Sequence, residues 1–381
     1  MINPGGSLPP DAVIGRDGDI AEYWHILRQQ SIALLAPRRV GKTSICRRMV
    51  ALPPPNITPV MRNLEGLESA TEFVRHLTED VDHFLSRTTR AKGWVKDILK
   101  SFVGGIEAGG VKLQLASDQW KELLDQLLAE VNDATPEGSL VVFFWDEFTL
   151  FFGDLARRGQ AQEAMVLLDR LRAARQRFPR LRMVLTGSIG FEEVLEQLRA
   201  HGYANDPIND VSKQIVPLLS PEGALELANT LLTHLLSGRA DAALAACMAE
   251  RSEGHPLAIQ HMADRLSRVG RYDEVEVEGA LQALIADASD PLELSHYLER
   301  LATYLPSGAL DLTRLLLDTL AAEQGGVPLA QLVAVGGDKE AVLKSLNRLR
   351  KDQYLVREGT DHRWRFRLDV LRRWWKQERG L

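Results

Sequence analysis

The stretch Ser31-Ile32-Ala33-Leu34-Leu35-Ala36-Pro37-Arg38-Arg39-Val40-Gly41-Lys42-Thr43 decides the fold. Its first half, Ser31 to Leu35, is a short apolar run bounded by a proline, which predicts a buried strand. Its second half, Ala36 to Thr43, satisfies the phosphate-binding loop pattern at every position but the first, where Ala36 stands for glycine. From Thr43 to Val50 the pattern turns helical until Pro53-Pro54-Pro55 stops it. Strand, loop and helix in this order place backbone N–H groups and a helix N-terminus around one anion.

Each residue type has a physical reason. Gly41 lets the backbone turn so that its amides point inward. Lys42 brings an ammonium to the β- and γ-phosphates, and the Thr43 hydroxyl is a ligand for Mg2+. Ala36, Pro37, Arg38, Arg39, Val40, Gly41, Lys42, Thr43 and Ser44 are therefore the expected nucleotide-binding run. Ala36 costs some backbone freedom but adds only a methyl group.

The partner of such a loop is an acid at the end of a neighbouring buried strand. Val141-Val142-Phe143-Phe144-Trp145 is a continuous apolar run followed by Asp146-Glu147. Asp146 can bind Mg2+, directly or through water, and Glu147 can orient or deprotonate the attacking water. A further strand ends in Thr186-Gly187-Ser188. A polar side chain there would sit between phosphate and water, with Ser188 preferred over Thr186. Upstream, Ile14-Gly15-Arg16 precedes the first helix and could pack the adenine ring.

Working outward, helices are expected over 19–29, 70–85, 119–131 and 161–178, and strands over 57–62, 182–187 and 214–218. Alternating strands and helices predict a parallel α/β sheet. A glycine-bearing hairpin insertion is expected over 101–115. After residue 220 only helices remain, opened by Ser220-Pro221-Glu222, a cap, a proline and an acid in the first turn. They are expected over 244–251, 256–266 and 275–286. From Pro291 onward, helices over 311–323, 329–333 and 339–351 precede two alternating runs, 354–357 and 364–367, and a last helix with Trp374-Trp375. Three helices plus a hairpin predict a winged helix-turn-helix. The expected organisation is a tail over 1–12, a nucleotide core over 13–219, a helical lid over 220–290 and the winged helix over 291–381.

The 381 residues are 45% hydrophobic and 26% charged, with a net charge of −6, which excludes wholesale disorder and a simple polyanion binder. Two cysteines, Cys46 and Cys247, make neither a disulfide framework nor a zinc site. No apolar run approaches a membrane span, and the start lacks a signal-peptide pattern. A cytoplasmic protein with no membrane partner is expected.

Taken together, the motifs resemble the AAA+/STAND branch of P-loop NTPases, in particular its archaeal-ATPase-like and origin-recognition-like members. The matching features are Ile14-Gly15-Arg16, Ala36 to Thr43, Phe144-Trp145-Asp146-Glu147-Phe148, Thr186-Gly187-Ser188 and Gly254-His255-Pro256-Leu257-Ala258. The resemblance implies a parallel five-stranded sheet, a helical lid, a terminal winged helix, and ATP with Mg2+ as cofactors. It implies that His255-Pro256 contacts the nucleotide and reports its state. It also implies a slow switch, ATP holding one domain arrangement, with self-association on ATP binding open. Two departures stand: Ala36 in the loop, and no lid arginine where motor members sense the γ-phosphate. Arg157-Arg158 and the Arg175, Arg177, Arg180, Arg182 series are the candidate arginine fingers.

From Asp338 to the end there are thirteen Lys/Arg and seven Asp/Glu, so this segment carries +6 and the rest of the chain −12. Such a split points to a local polyanion-binding surface. Arg348 and Lys351 on the recognition helix and Arg357, Arg363, Arg365 and Arg367 on the wing are the candidate contacts to double-stranded DNA. The competing account is a clamp whose basic face pairs with the chain's own acids. Three functions follow: an ATP-hydrolysing switch, a DNA-binding initiator or loader, and a silent nucleotide scaffold.

Overall fold

The computed structural model describes residues 6, 8–36, 38–86, 118–187, 190–236, 241–359 and 362–381. Pro37, Ser188 and the expected hairpin insertion over 101–115 lie outside them. The chain forms two compact units. One holds the described residues of Gly18–Leu35 and Ile45–Ile215, the other those of Met1–Asp17, Ala36–Ser44 and Val216–Leu381.

The first unit is a five-stranded parallel sheet with helices. In chain order its elements are α1 (Asp17–Leu27), β1 (Ile32–Leu35), α2 (Lys42–Ala51), β2 (Ile57–Asn63), α3 (Ala70–Ser86), α4 (Gln119–Ala134), β3 (Leu140–Asp146), α5 (Phe148–Arg157), α6 (Ala161–Arg177), β4 (Leu181–Gly187), α7 (Phe191–Ala200) and β5 (Ser212–Ile215). α1 and α2 begin in residues that group with the second unit. The strand order is β2-β3-β4-β1-β5, every pair parallel. β3 is buried from Val141 to Asp146, as a strand covered on both faces must be. Its side chains alternate. Phe144 meets Trp24 of α1 edge-on at 5.9 Å, while Trp145 meets Phe73 of α3 at 5.2 Å and Phe148 of α5 at 6.2 Å.

Three expectations are corrected here. β3 is not the neighbour of β1, because β4 lies between them, pairing Leu35 with Gly187 and Trp145 with Leu185. The last strand spans Ser212–Ile215 rather than 214–218. Pro217 has no N–H to give a ladder, so pairing stops before it, and β5 is an edge strand whose side chains are half out. Helices α5 and α7 are additions to the expected set.

The second unit is helical. It contains α8 (Pro221–Leu235), α9 (Ala242–Arg251), α10 (Pro256–Val269), α11 (Glu274–Ile285), α12 (Ser295–Tyr304), α13 (Ser307–Ala322), α14 (Leu329–Gly336), α15 (Lys339–Lys351), the strands β6 (Leu355–Glu358) and β7 (Arg363–Phe366), and α16 (Asp369–Glu378). α12, too, is an addition. The helix starts are chemically marked. Ser220 accepts from Gly223 N, and Asp241, His255, Asp273 and Asp338 cap the helices that follow them. β6 and β7 pair antiparallel, and Val327 forms a bridge to Trp364 beside them. Helices α13 to α15 precede this hairpin in the chain.

One apolar core runs from α8 to α16. Polar contacts fasten the C-terminal helices to it. Tyr354 donates to Tyr297 O at 2.6 Å, Trp375 Nε1 to Asp318 at 2.7 Å, and the Asp369 amide to Glu253 Oε2 at 2.5 Å. Arg373 pairs with Glu278 of α11 at 2.8 Å. Among the described residues no helix is long and apolar enough to cross a membrane.

Candidate nucleotide site

The loop Ala36–Ser44 leaves the carboxyl end of β1 and enters α2. Gly41 has φ +101, a conformation that side-chain-bearing residues rarely adopt, and a Cβ there would meet nothing within 4 Å. The glycine is thus required by the backbone and not by crowding. Lys42 is buried, and its Nζ donates to Ala36 O at 2.6 Å, closing the loop on itself. Arg39, beside it, has φ +65. Val40 is buried, while Thr43 and Ser44 are partly exposed at the start of α2.

The upstream motif supports this loop from the backbone side. Arg16 is 3% exposed, and its guanidinium donates to Val40 O at 3.0 Å and Pro217 O at 2.8 Å. It ties the phosphate loop to the segment that opens the helical region. Ile14 packs on the apolar core of the same unit. Gly15 has φ +71, and a Cβ there would lie 2.8 Å from the Cα of Gly223 in α8.

Gly254-His255-Pro256 belongs to the same junction. Gly254 has φ +76, and a Cβ there would come within 2.3 Å of Leu219 O, while Leu219 N donates to Gly254 O at 3.0 Å. His255 is buried, and its Nδ1 accepts from Ala258 N at 3.3 Å, capping α10. Burial pushes its pKa down to about 4, and the charges of His261 and Arg16 act in the same direction. His255 is therefore a neutral imidazole with its proton on Nε2, and Pro256 takes the first helical position.

Arg38 and Arg39 meet a carboxylate that sequence reasoning missed. Arg39 donates twice to Glu293 Oε1, at 2.8 Å through Nε, and Arg38 reaches Oε2 at 3.5 Å. Glu293 lies some 250 residues on from the loop, in an unremarkable acidic stretch, so no local pattern could have flagged it.

In the sheet unit the acid edge is equally ordered. Asp146 is 4% exposed, and its Oδ1 accepts from the Thr186 hydroxyl of β4 and from Glu147 N at 3.2 Å. Thr186 is fully buried. Glu147, the N-cap of α5, has φ +54, so the catalytic candidate sits in a strained backbone conformation. A Cβ on Gly187 would lie 1.9 Å from Thr149 Oγ1, so the turn after β4 needs glycine for space. Ser188, the preferred polar residue of that turn, is outside the described residues. Asp146 and Thr186 are brought together, the hydroxyl standing one residue before the end of β4.

The basic candidates at the C-terminus are largely engaged within the chain. Arg365 pairs with Glu358 across the hairpin at 2.7 and 2.6 Å, and Arg363 donates to Gly325 O and Gly326 O at 3.1 and 2.7 Å. Arg367 donates to Gln353, with its pKa lowered by burial. Arg357 lies over the Trp364 ring at 5.9 Å, and Arg348 is 3.8 Å from Asp352. Lys351 is exposed. Of the arginine-finger candidates, Arg175 is held by Asp210 and Pro207 O, and Arg158 by Glu68 at 2.8 Å.

No protein-family model matches the chain, and no curated protein matches it. Solved structures do. A Walker-type ATPase of Pyrococcus abyssi matches with a TM-score of 0.61 at 17% identity, over 96% of each chain. The ORC2 protein of Aeropyrum pernix, solved with ADPNP and ADP, matches with a TM-score of 0.53 at 12% identity, over 99% of this chain and 98% of that one. Its ADP form gives 0.51 at 12% identity. At these identities the likeness is one of fold. The parallel sheet, the loop after β1 and the whole-length overlap make this chain an α/β P-loop NTPase fold.

Proposed function

We propose that the protein is a Mg2+-dependent ATP-binding and slowly hydrolysing switch of the AAA+/STAND type. The observation that carries the reading is the carboxyl edge of the sheet. The phosphate loop leaves β1 there, and a buried Asp146, oriented by Thr186, leaves β3 there with Glu147 next to it. Ligands of open α/β sheets bind at that edge.

In this reading the loop amides of Ala36–Ser44 and Lys42 hold the phosphates, and Ile14, Gly15 and Arg16 with His255 and Pro256 form the base side. Thr43 and Asp146 are the Mg2+ ligands, together with phosphate oxygens. Mg2+ when bound neutralises charge on the β- and γ-phosphates. Glu147 takes the proton of the attacking water, and Ser188 orients it. The division into a core over 13–219, a lid over 220–290 and a winged helix over 291–381 is part of the same proposal. ATP is favoured over other nucleotides by the likeness to the Walker-type ATPase and to the ORC2 protein solved with ADPNP and ADP. Self-association on ATP binding and a cytoplasmic location complete it.

Double-stranded DNA as a partner of the winged helix is the alternative, and the basic surplus after Asp338 favours it. The intrachain partners of Arg363, Arg365 and Arg367 favour the switch, in which the C-terminal helices are fastened to α11 and to Glu253. Equilibrium titration with ATP tests the site. Wild type binds and Lys42→Ala does not; equal affinity in the two would sink the assignment. Glu147→Gln should then bind ATP but lose hydrolysis, and equal turnover in both proteins would leave a silent scaffold.

A further inference from the structure

The connection between α11 and α12, residues 286–294, carries side chains that the nucleotide reading does not use. Its Glu293 is 21% exposed and receives Arg39 at 2.8 Å and Arg38 at 3.5 Å, both from the phosphate loop. Arg38 also lies 3.4 Å from His296 Nε2, whose other ring nitrogen is 3.0 Å from Glu299. The backbone is bent to make this contact. Arg39, Asp290 and Glu293 have φ of +65, +45 and +54, all in the left-handed region without being glycine. Such residues cost free energy and persist where surrounding contacts hold them. Asp290 supplies those contacts: its carboxylate accepts from Leu294 N at 2.8 Å and Ser295 N at 2.7 Å, fixing the first turn of α12.

We propose that Glu293 is an intramolecular counter-ion, seated on the two guanidinium groups of the phosphate loop and displaced from them when a nucleoside polyphosphate binds. Nucleotide occupancy is thereby transmitted to residues 286–294 and to α12. The inference rests on the nucleotide reading and adds its regulation. A carboxylate and a phosphate offer guanidinium the same forked acceptor geometry, but the polyphosphate brings more charge and more oxygens. The contact is also weak enough to exchange. Arg38 and Arg39 are 37% and 36% exposed, and ion pairs at such positions contribute little net stability. An apolar latch at this place would not respond to an anion at all.

The test titrates ATP into the full chain as wild type, Glu293→Gln and Lys42→Ala. Removing the competing charge should tighten ATP binding roughly two- to fivefold in Glu293→Gln, the scale of one exposed ion pair. If wild type binds, Lys42→Ala does not, and Glu293→Gln binds equally or more weakly, the counter-ion is overturned and the nucleotide site stands. If Lys42→Ala matches wild type, or neither binds, both fall together. A second measurement needs no variant. In wild type, ATP should speed hydrogen exchange at the Leu294 and Ser295 amides as the turn is released. Unchanged or slower exchange there overturns the proposal even if Glu293→Gln fails to fold.

Discussion

Gly254 shows how little freedom single residues have at the helical junction. With φ +76 and the Leu219 carbonyl 2.3 Å from where a Cβ would be, alanine must move backbone to fit. Gly254→Ala should destabilise the chain by roughly 2–4 kcal/mol, the range of a strained φ combined with a backbone clash. A denaturation midpoint unchanged from wild type would contradict this. His255, one residue on, makes a pH prediction. Its folded pKa of about 4 lies below the ordinary value of 6.5, so the unfolded chain binds the extra proton first. Its contribution is fully present above pH 6.5 and is lost as pH falls towards 4, by about 3 kcal/mol in total. His255→Asn keeps a capping acceptor and lacks the titration. The wild-type minus mutant stability should therefore fall over that window; a difference independent of pH would exclude the buried imidazole as its source. The sequence marks Gly254, His255 and Pro256, but it cannot show Gly223, whose partner Gly15 lies some 200 residues away. Long-range backbone contacts leave no periodicity to read.

At the scale of elements, the apolar run of β3 and the loop after β1 are legible because both obey short patterns. Five large apolar residues before two acids allow little besides a buried strand end. The strand order is not legible, since nothing local in 182–187 says that β4 slots between β1 and β3. That insertion is what gives Asp146 its hydroxyl partner. Thr186→Val keeps the shape of the side chain and removes the donor to Asp146. It should weaken Mg2+-dependent ATP binding by about tenfold or more, the worth of one hydrogen bond to a charged group, with the fold intact. Equal Mg2+ dependence in both proteins would show that Asp146 needs no such support. Helix α5 escapes the sequence pattern for a different reason. Phe148-Thr149-Leu150-Phe151-Phe152-Gly153 holds aromatic residues and a glycine of low helix propensity, and tertiary burial of Phe148, Phe151 and Phe152 overrides it.

For the whole molecule, counting charges finds the basic C-terminal segment but not what its cations do. Counting treats every arginine as available, whereas Arg363 and Arg365 are engaged by loop carbonyls and by Glu358. Neutralising Arg363, Arg365 and Arg367 together is expected to lower the melting temperature and leave the salt dependence of any duplex DNA binding unchanged. Each arginine that truly pairs with a phosphate would instead, on neutralisation, flatten the log K against log salt slope by about 0.9. A flattening near three such steps would move the assignment to the DNA-binding alternative.

Glu253 stands at the seam of this arrangement. Its carboxylate receives the first amide of α16, and its own backbone, at φ +51, leads straight into Gly254 and His255. A change of a few degrees in the backbone torsions of Glu253 would swing the carboxylate like the short arm of a crank. The last helix of the chain would then feel a tilt at residue 255 through Glu253, alongside the holds that Arg373 has on Glu278 and Trp375 on Asp318.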